Sequence, residues 1–307
     1  MTSTPSFLVI GESVADIVRT PGQPDVPHPG GSPANVAYGL ARLGHRAALL
    51  TQLGPDRVGG LIAAHLRSAG VELLTDGQQG VRTPTAIVLL DPDGRADYTF
   101  DIHWSLRPVE PPAAVDHVHL GSIAAVLAPG AAAARALAER LRPSASVSYD
   151  PNIRAALLGS PAEVRPEVER CVALADVVKA SDEDIAWLHP DRSEQQVAEH
   201  WLGLGPALVL ITRGASGSAA YTRHATAAAP AAPATVVDTV GAGDSFMAAV
   251  LDLLAARGLL GAAARPGLAA LGAAELAALL RSAGRAAAVT VSRAGANPPD
   301  RAELSRA

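Results

Sequence analysis

A series of short apolar runs, each ending in Gly or a polar residue, constrains this chain's fold more than any other feature: FLVIGE (7–12), AALLTQLG (47–54), HVHLGS (117–122), SVSYDPN (146–152), DVVKAS (176–181) and ALVLITRG (207–214). Between them lie Ala- and Leu-rich stretches of helical character at 34–43, 58–69, 130–142, 163–174 and 194–203. Strands that alternate with helices predict a parallel sheet covered on both faces, because each crossover lays a helix back on the sheet. Ligands of such sheets gather beyond the carboxyl ends of the strands. Asp16, Asp150, Asn152, Ser181, Thr212 and Asp244 are expected at that end.

Two segments break the rhythm. Residues 17–30 are rich in Pro and Gly, and residues 84–104 alternate around a DPDG turn, which reads as a β-hairpin. Neither holds a helix that could cover a sheet face. Together they predict a small β-lid over one end of the main domain, suited to covering a substrate or to forming a dimer interface. The Ala/Pro stretch 225–234 reads as a surface connection before a strand at 235–238.

Composition excludes several classes. With 307 residues, 49% of them hydrophobic, the chain can bury the core of one large α/β domain. A formal net charge of −5 offers no basic footprint for nucleic acid or anionic lipid. Cys171 is the sole cysteine, which rules out an intrachain disulfide and a Cys-based zinc cluster and fits a reducing compartment. The N-terminus lacks the basic patch and apolar run of a signal peptide. The nearest approach to a membrane span, 246–260, is broken by Asp252 and Arg257. A soluble, cytoplasmic protein with neither nucleic-acid nor membrane partners is expected.

The segment DTVGAGDSFMAAVLDLLAARG (238–258) carries the chemistry. A short strand is expected to end near Asp238, a glycine turn to follow, and a helix to run from about Asp244 to Arg257. Gly241 and Gly243 remove the Cβ atoms that would keep backbone N–H groups from converging on an oxyanion, and the helix start adds its unpaired donors and partial positive charge. An acid beside such a phosphate cradle has two readings. As an N-cap, Asp244 would hold the helix start; as a general base, it would accept the proton of a hydroxyl attacking a phosphoryl group. There is no GxxxxGK[ST] loop of Walker-type enzymes and no GxGxxG dinucleotide fingerprint.

DTVGAGDSF resembles the C-terminal signature of PfkB/ribokinase carbohydrate kinases, and GGSPANVAYGLARLG (30–44) resembles their N-terminal signature. DPNIR (150–154), VVKASDED (177–184) and LITRGASG (210–217) resemble the family in sequence and order, so the likeness spans nearly the whole chain. It implies a ribokinase-like three-layer α/β sandwich, with a mostly parallel central sheet and a small β-sheet lid drawn from about 17–30 and 84–104. It also implies transfer of the γ-phosphate of ATP to a sugar hydroxyl, and homodimerisation through the lid.

The resemblance assigns roles residue by residue. Asp244 would be the base, and Gly241, Ala242 and Gly243 the anion hole. Gly30, Gly31 and Asn35 would approach the sugar, with Asp16 gripping a hydroxyl; Asn35 read alone is a helix cap and Asp16 an ordinary turn residue. Arg154 is either a clamp on the transferring phosphate or the sugar, or a surface ion pair. Where many members carry Asn-x-x-Glu to organise Mg²⁺, this chain has Ser181 and Asp184, which makes direct metal contacts doubtful and water-mediated ones the expectation. Lys179, the lone lysine, could reach a phosphate. Thr212, Gly214 and Gly217 resemble the nucleotide loop, 286–296 would close the adenine pocket, and Asp238 could ligate K⁺. Gly121 and Ser122, the SPANVA wording and ADYTF resemble fructokinase-like members, which points to fructose. Tyr98, Phe100 and Trp104 are expected in the lid or core, with a sugar face as a further possible partner. Competing readings are a kinase for 2-keto-3-deoxygluconate, a phosphorylated hexose or a nucleoside, a non-catalytic sugar-binding module, and an NAD-dependent oxidoreductase.

Overall fold

A computed structural model describes residues 5–19, 25–78, 80–90, 96–110, 112 and 114–306. Strand β1 (Ser6–Ile10) enters the main sheet, and the chain then leaves it for β2 (Val14–Arg19) and β3 (Val26–Gly30). It returns through α1 (Ser32–Arg42), β4 (Arg46–Leu50), α2 (Arg57–Ser68) and the short β5 (Glu72–Leu74), then departs again for β6 (Thr85–Leu90) and β7 (Ala96–Asp101). Regular alternation follows: β8 (His117–Gly121), α3 (Ala131–Leu141), β9 (Ser146–Asp150), α4 (Pro161–Leu174), β10 (Val177–Ser181), α5 (Asp182–Leu188), α6 (Glu194–Leu204) and β11 (Leu208–Thr212). The hairpin β12 (Ser218–Tyr221) and β13 (Thr226–Ala229) precedes α7 (Ala242–Ala256), α8 (Arg265–Ala269), α9 (Ala273–Val291) and α10 (Arg301–Arg306).

The main sheet runs β13-β12-β11-β10-β9-β8-β1-β4-β5. It is parallel from β11 to β5 and closes at one edge with the antiparallel β12–β13 hairpin. Strand period two divides its side chains between two cores. Leu8, Ile10, Val118, Leu120, Val147 and Tyr149 pack toward α3–α6, while Phe7, Val9, Val177, Leu208 and Leu210 pack toward α1, α2, α7 and α9. Full burial of each such side chain is worth about 1.5–3 kcal/mol before the entropy of ordering is subtracted. The expected three layers are therefore present.

The two excursions pair with each other. β2 lies between β3, antiparallel, and β6, parallel, and β7 closes the order β3-β2-β6-β7. This small sheet starts at Val14, a few residues before the expected boundary, so Asp16 sits within a strand opposite His28 instead of in a turn. The DPDG turn at 91–94 lies outside the described residues, as does the side chain of Tyr98. Trp104 is fully buried in the main core, beside Gly130.

The strand expected at 235–238 is absent: 231–240 is irregular, with Val236, Val237 and Val240 exposed. Pro230 and Pro233 offer no N–H to a neighbouring ladder, and the segment is tied instead by Val237 N and Asp238 N, which donate to Val291 O at 2.7 and 3.2 Å. The stretch 225–234, read as a surface connection, instead holds β13, which pairs with β12.

Candidate active site

Glycines bring α1 and α7 together at the carboxyl end of the sheet. A Cβ on Gly39 of α1 would stand 3.0 Å from the Ala248 Cβ of α7, so the bare backbone there lets the two helices pack closely. Both helices begin at glycines of positive φ: Gly31 (+97°) caps α1 and Gly241 (+76°) caps α7. Asp244 is thus the third residue of α7, not its cap, and the helix starts two residues earlier than expected. Its carboxylate faces α1. Ser32 Oγ donates to Asp244 Oδ1 at 2.6 Å, and Asn35 Nδ2 donates to Oδ2 at 2.8 Å. Asn35 is likewise no cap; it spends its amide on Asp244.

Ala242 N donates back to Thr239 O at 3.3 Å, and the amides of Gly243 and Asp244 open the helix without intrahelical acceptors, so the turn carries the partial positive charge of a helix start. Two neighbours crowd the glycines of this turn. A Cβ on Gly241 would lie 2.6 Å from Ala296 Cβ, and one on Gly243 would lie 3.0 Å from Lys179 Nζ. Lys179 is buried, and its ammonium donates to Asp150 Oδ2 at 2.6 Å. Asp150 and Lys179 stand on the same sheet face as Ser148 and His119, a buried polar column in which Ser148 Oγ lies 2.7 Å from His117 Nε2 and 2.8 Å from His119 Nδ1. Burial pushes both imidazoles down to about 3, so they are neutral. It also pushes Asp150 up to about 6, against the pull of Lys179. Lys179 itself is raised by Asp150 against its own burial; at neutral pH the pair is ionised.

Asp16 enters from the small sheet. Burial raises its carboxyl to about 6, Arg154 and His28 pull it back, and Asp244 pushes it further up, so these charges lie within electrostatic reach of Asp16. Gly30 clears the way for it, since any Cβ there would fall on the Asp16 carboxylate. Gly31 brings its backbone against Glu12 O and Val14 N. Arg154 is exposed, and its Nη1 donates to Asn152 Oδ1, Asn152 O and Ile153 O at 2.9, 3.3 and 3.0 Å. Asn152 holds the left-handed conformation (φ 38°) that this arrangement needs. Phe100 is half-buried on β7 opposite Ala86.

The remaining positions divide. Ser181 and Asp184 form a reciprocal capping box at the start of α5: Asp184 N donates to Ser181 Oγ at 3.0 Å and Ser181 N to Asp184 Oδ2 at 2.9 Å. Asp184 Oδ1 takes Ile153 N at 2.7 Å, which ties the Arg154 loop to α5. Asp238 accepts from Val240 N at 3.0 Å and Gly295 N at 2.8 Å; these amides hold its carboxyl below the usual range and fasten the loop before α7 to the loop after α9. Thr212 ends β11, and Gly214 (φ 51°) and Gly217 (φ 92°) build the tight turn into β12. Among the described residues no cluster of three or more His, Cys, Asp or Glu is arranged to hold a metal.

With this geometry in view, residues 6–303 match the pfkB family of carbohydrate kinases. The chain belongs to that family. It is therefore a phosphotransferase acting on a sugar hydroxyl. Among its relatives, the fructokinase of Klebsiella pneumoniae is 36% identical over 262 residues, covering 82% of this chain and 85% of its own. Among solved structures, a fructokinase from Xylella fastidiosa with bound ATP superposes with a TM-score of 0.83 at 25% identity, covering 98% and 97% of the two chains. A fructokinase variant from Vibrio cholerae, bound to fructose, ADP and a potassium ion, gives 0.80 at 25% identity over 100% and 99%.

One buried contact of the kinase escaped the sequence. Glu12 follows β1 and is buried; its Oε1 accepts from Ser122 Oγ at 2.5 Å and its Oε2 from Ala124 N at 3.2 Å. Ser122, part of the fructokinase-like wording, is buried and turned toward Glu12. The only sequence signal was an acid closing an otherwise apolar strand. No single described helix is long and apolar enough to cross a membrane.

Proposed function

We propose that this kinase transfers the γ-phosphate of ATP to a hydroxyl of fructose, with Asp244 as the base that takes the hydroxyl proton. The observation that carries the reading is the placement of one carboxylate, fixed by Ser32 and Asn35, beside the open amides of Gly243 and Asp244 at the start of α7. An attacking alcohol needs a proton acceptor on one side and positive potential under the phosphoryl oxygens on the other; this corner of the fold supplies both. Asp16, Gly30, Gly31 and Asn35 grip the sugar, and Phe100 lies on the sheet that covers it. Arg154 reaches across the cleft as a clamp on the transferring phosphate. The Thr212–Gly217 turn and the 286–296 segment receive the nucleotide, and K⁺ sits by the loops that Asp238 joins. Fructose is favoured over other acceptors because a relative named as a fructokinase matches 82% of the chain at 36% identity and another matches 81% at 32%. Exposed Val26 on β3 supports a homodimer through the small sheet, and ATP as donor fits a cytoplasmic setting.

A panel of free hexoses, 2-keto-3-deoxygluconate, phosphorylated hexoses and nucleosides, read by ADP release, tests this. Fructose is expected to give the highest kcat/KM; preference for any other acceptor would replace it.

The Asp16 carboxyl adds a pH signature. With a value of about 6 it is ionised at pH 7.5 and protonated at pH 5, so its charge-assisted bond to a sugar hydroxyl is lost as pH falls through 6. The sugar KM is expected to rise about tenfold over that interval. Asp16→Asn should raise KM about tenfold or more at pH 7.5 and flatten the profile. A KM that stays flat with pH in the wild type would remove Asp16 from the sugar site.

A further inference from the structure

The family resemblance leads one to expect Mg²⁺ near this turn, reached by Asp184 through water, and the acids present do not fit a directly held dication. Both oxygens of Asp184 accept backbone amides, from Ile153 and Ser181. Both oxygens of Asp244 accept side-chain donors, from Ser32 and Asn35. Asp150 Oδ2 takes the Lys179 ammonium. Only Asp150 Oδ1 is buried without a partner, and a dication there would sit against the fixed charge that shares its carboxylate. At the centre of these acids stands Lys179: paired with Asp150, close enough to Asp184 and Asp244 to feel both charges, and 3.0 Å from where a Gly243 Cβ would lie.

We propose that the Lys179 ammonium occupies the place of a protein-held divalent cation, balancing Asp150, Asp184 and Asp244 behind the phosphate cradle, so that this chain binds no divalent metal there. Lys179 is a positioning residue in this account. It acts through the Gly241–Gly243 turn and does not itself touch the reacting phosphate. The inference rests on the reading of that turn as the phosphoryl-transfer centre, but its first test does not. A lysine suits the task physically. Its charge is compact, needs no coordination shell, and acts on Asp150 through a hydrogen bond and on the other acids through space. The chain's remaining basic residues are arginines and histidines, so this is the one place where a point charge on a flexible stem was used.

The test is Mn²⁺ binding to the nucleotide-free protein, read by electron paramagnetic resonance at millimolar metal. Wild type is expected to show no site that Asp150→Asn abolishes, whereas Lys179→Met, with its acids unbalanced, should gain about one Mn²⁺ that Mg²⁺ displaces. Kinetics give the second arm. At saturating MgATP the wild-type rate should be insensitive to further free Mg²⁺. Lys179→Met should lose about 10²-fold in kcat and recover part of it as free Mg²⁺ rises. A wild-type Mn²⁺ site removed by Asp150→Asn overturns the proposal, as does a Lys179→Met enzyme with unchanged kcat. If Lys179→Met does not fold, the wild-type and Asp150→Asn titrations decide alone: a Mn²⁺ signal that survives Asp150→Asn lies elsewhere and supports the proposal.

Discussion

Asp244→Asn is expected to lower kcat for the sugar by about 10³-fold while leaving the sugar KM within about threefold of wild type. The substitution is nearly isosteric. Ser32 Oγ can still donate to the remaining carbonyl oxygen, and the Asn35 amide can turn so that its Oδ1 accepts from the new side-chain NH2, so α1 and α7 stay docked. What disappears is the proton acceptor. The incoming alcohol must then attack with its proton attached or pass it to water, and the transition state loses a positioned base worth about 10²–10⁴ in rate. Because Asp16 and the Gly30–Gly31 backbone still hold the sugar, binding should change little. Measuring kcat and KM by ADP release separates the two. An Asp244→Asn enzyme with wild-type kcat would remove Asp244 from the chemistry.

Gly241→Ala should be nearly as damaging, through a different physical route. Gly241 holds φ +76°, a conformation costing an L-residue about 1 kcal/mol or more, and its new methyl would press on Ala296 at 2.6 Å. Ala296 lies on the loop that Asp238 fastens, so the turn has to move. A displaced turn re-aims the amides of residues 242–244, and losing such a donor costs about 10²–10³ in kcat. A stability loss of about 1–3 kcal/mol is expected alongside. Gly258 supplies the control: it also has positive φ (67°), but nothing lies within 4 Å of its missing Cβ, and it closes α7 at the far end. Gly258→Ala should therefore cost some stability and leave kcat unchanged. If both variants keep wild-type kcat, the turn's geometry does not matter to catalysis.

Much of the fold could be read from the chain because its strands are buried on both faces. Continuous apolar runs such as LVLIT, bounded by Gly and polar residues, admit few other readings, and the expected central strands agree with β1, β4, β8, β9, β10 and β11. The strand set at 235–238 failed because Val236 and Val237 have β-type side chains but no ladder to join, between prolines and an exposed surface. β12 and β13 went unseen for the opposite reason: SAAY and TAAA carry weak strand propensity, and their pairing next to β11 decides.

The site divides along the same line. Motif residues that meet across the sheet's carboxyl end, Asp244 with Asn35 and Asp16 near Arg154, were legible as types at fixed positions. Their partners were not. That Asn35 and Ser32 hold Asp244, that Lys179 is buried against Asp150, and that Glu12 turns Ser122 inward depend on side-chain directions over more than a hundred residues of separation in several cases, which no local pattern encodes. Ser181 and Asp184 show the converse. Their spacing allows a capping box, a local signal passed over for the metal reading, and in the fold both side chains serve the helix start.

The account turns on where the sugar's reactive hydroxyl lies. A crystal structure of the ternary complex with fructose and a non-hydrolysable ATP analogue should place one fructose hydroxyl within about 3 Å of an Asp244 carboxylate oxygen. The same hydroxyl should point in line toward the terminal phosphoryl group, with that group's oxygens over the amides of residues 242–244. A fructose bound with every hydroxyl away from Asp244, or a terminal phosphate seated far from that turn, would contradict it.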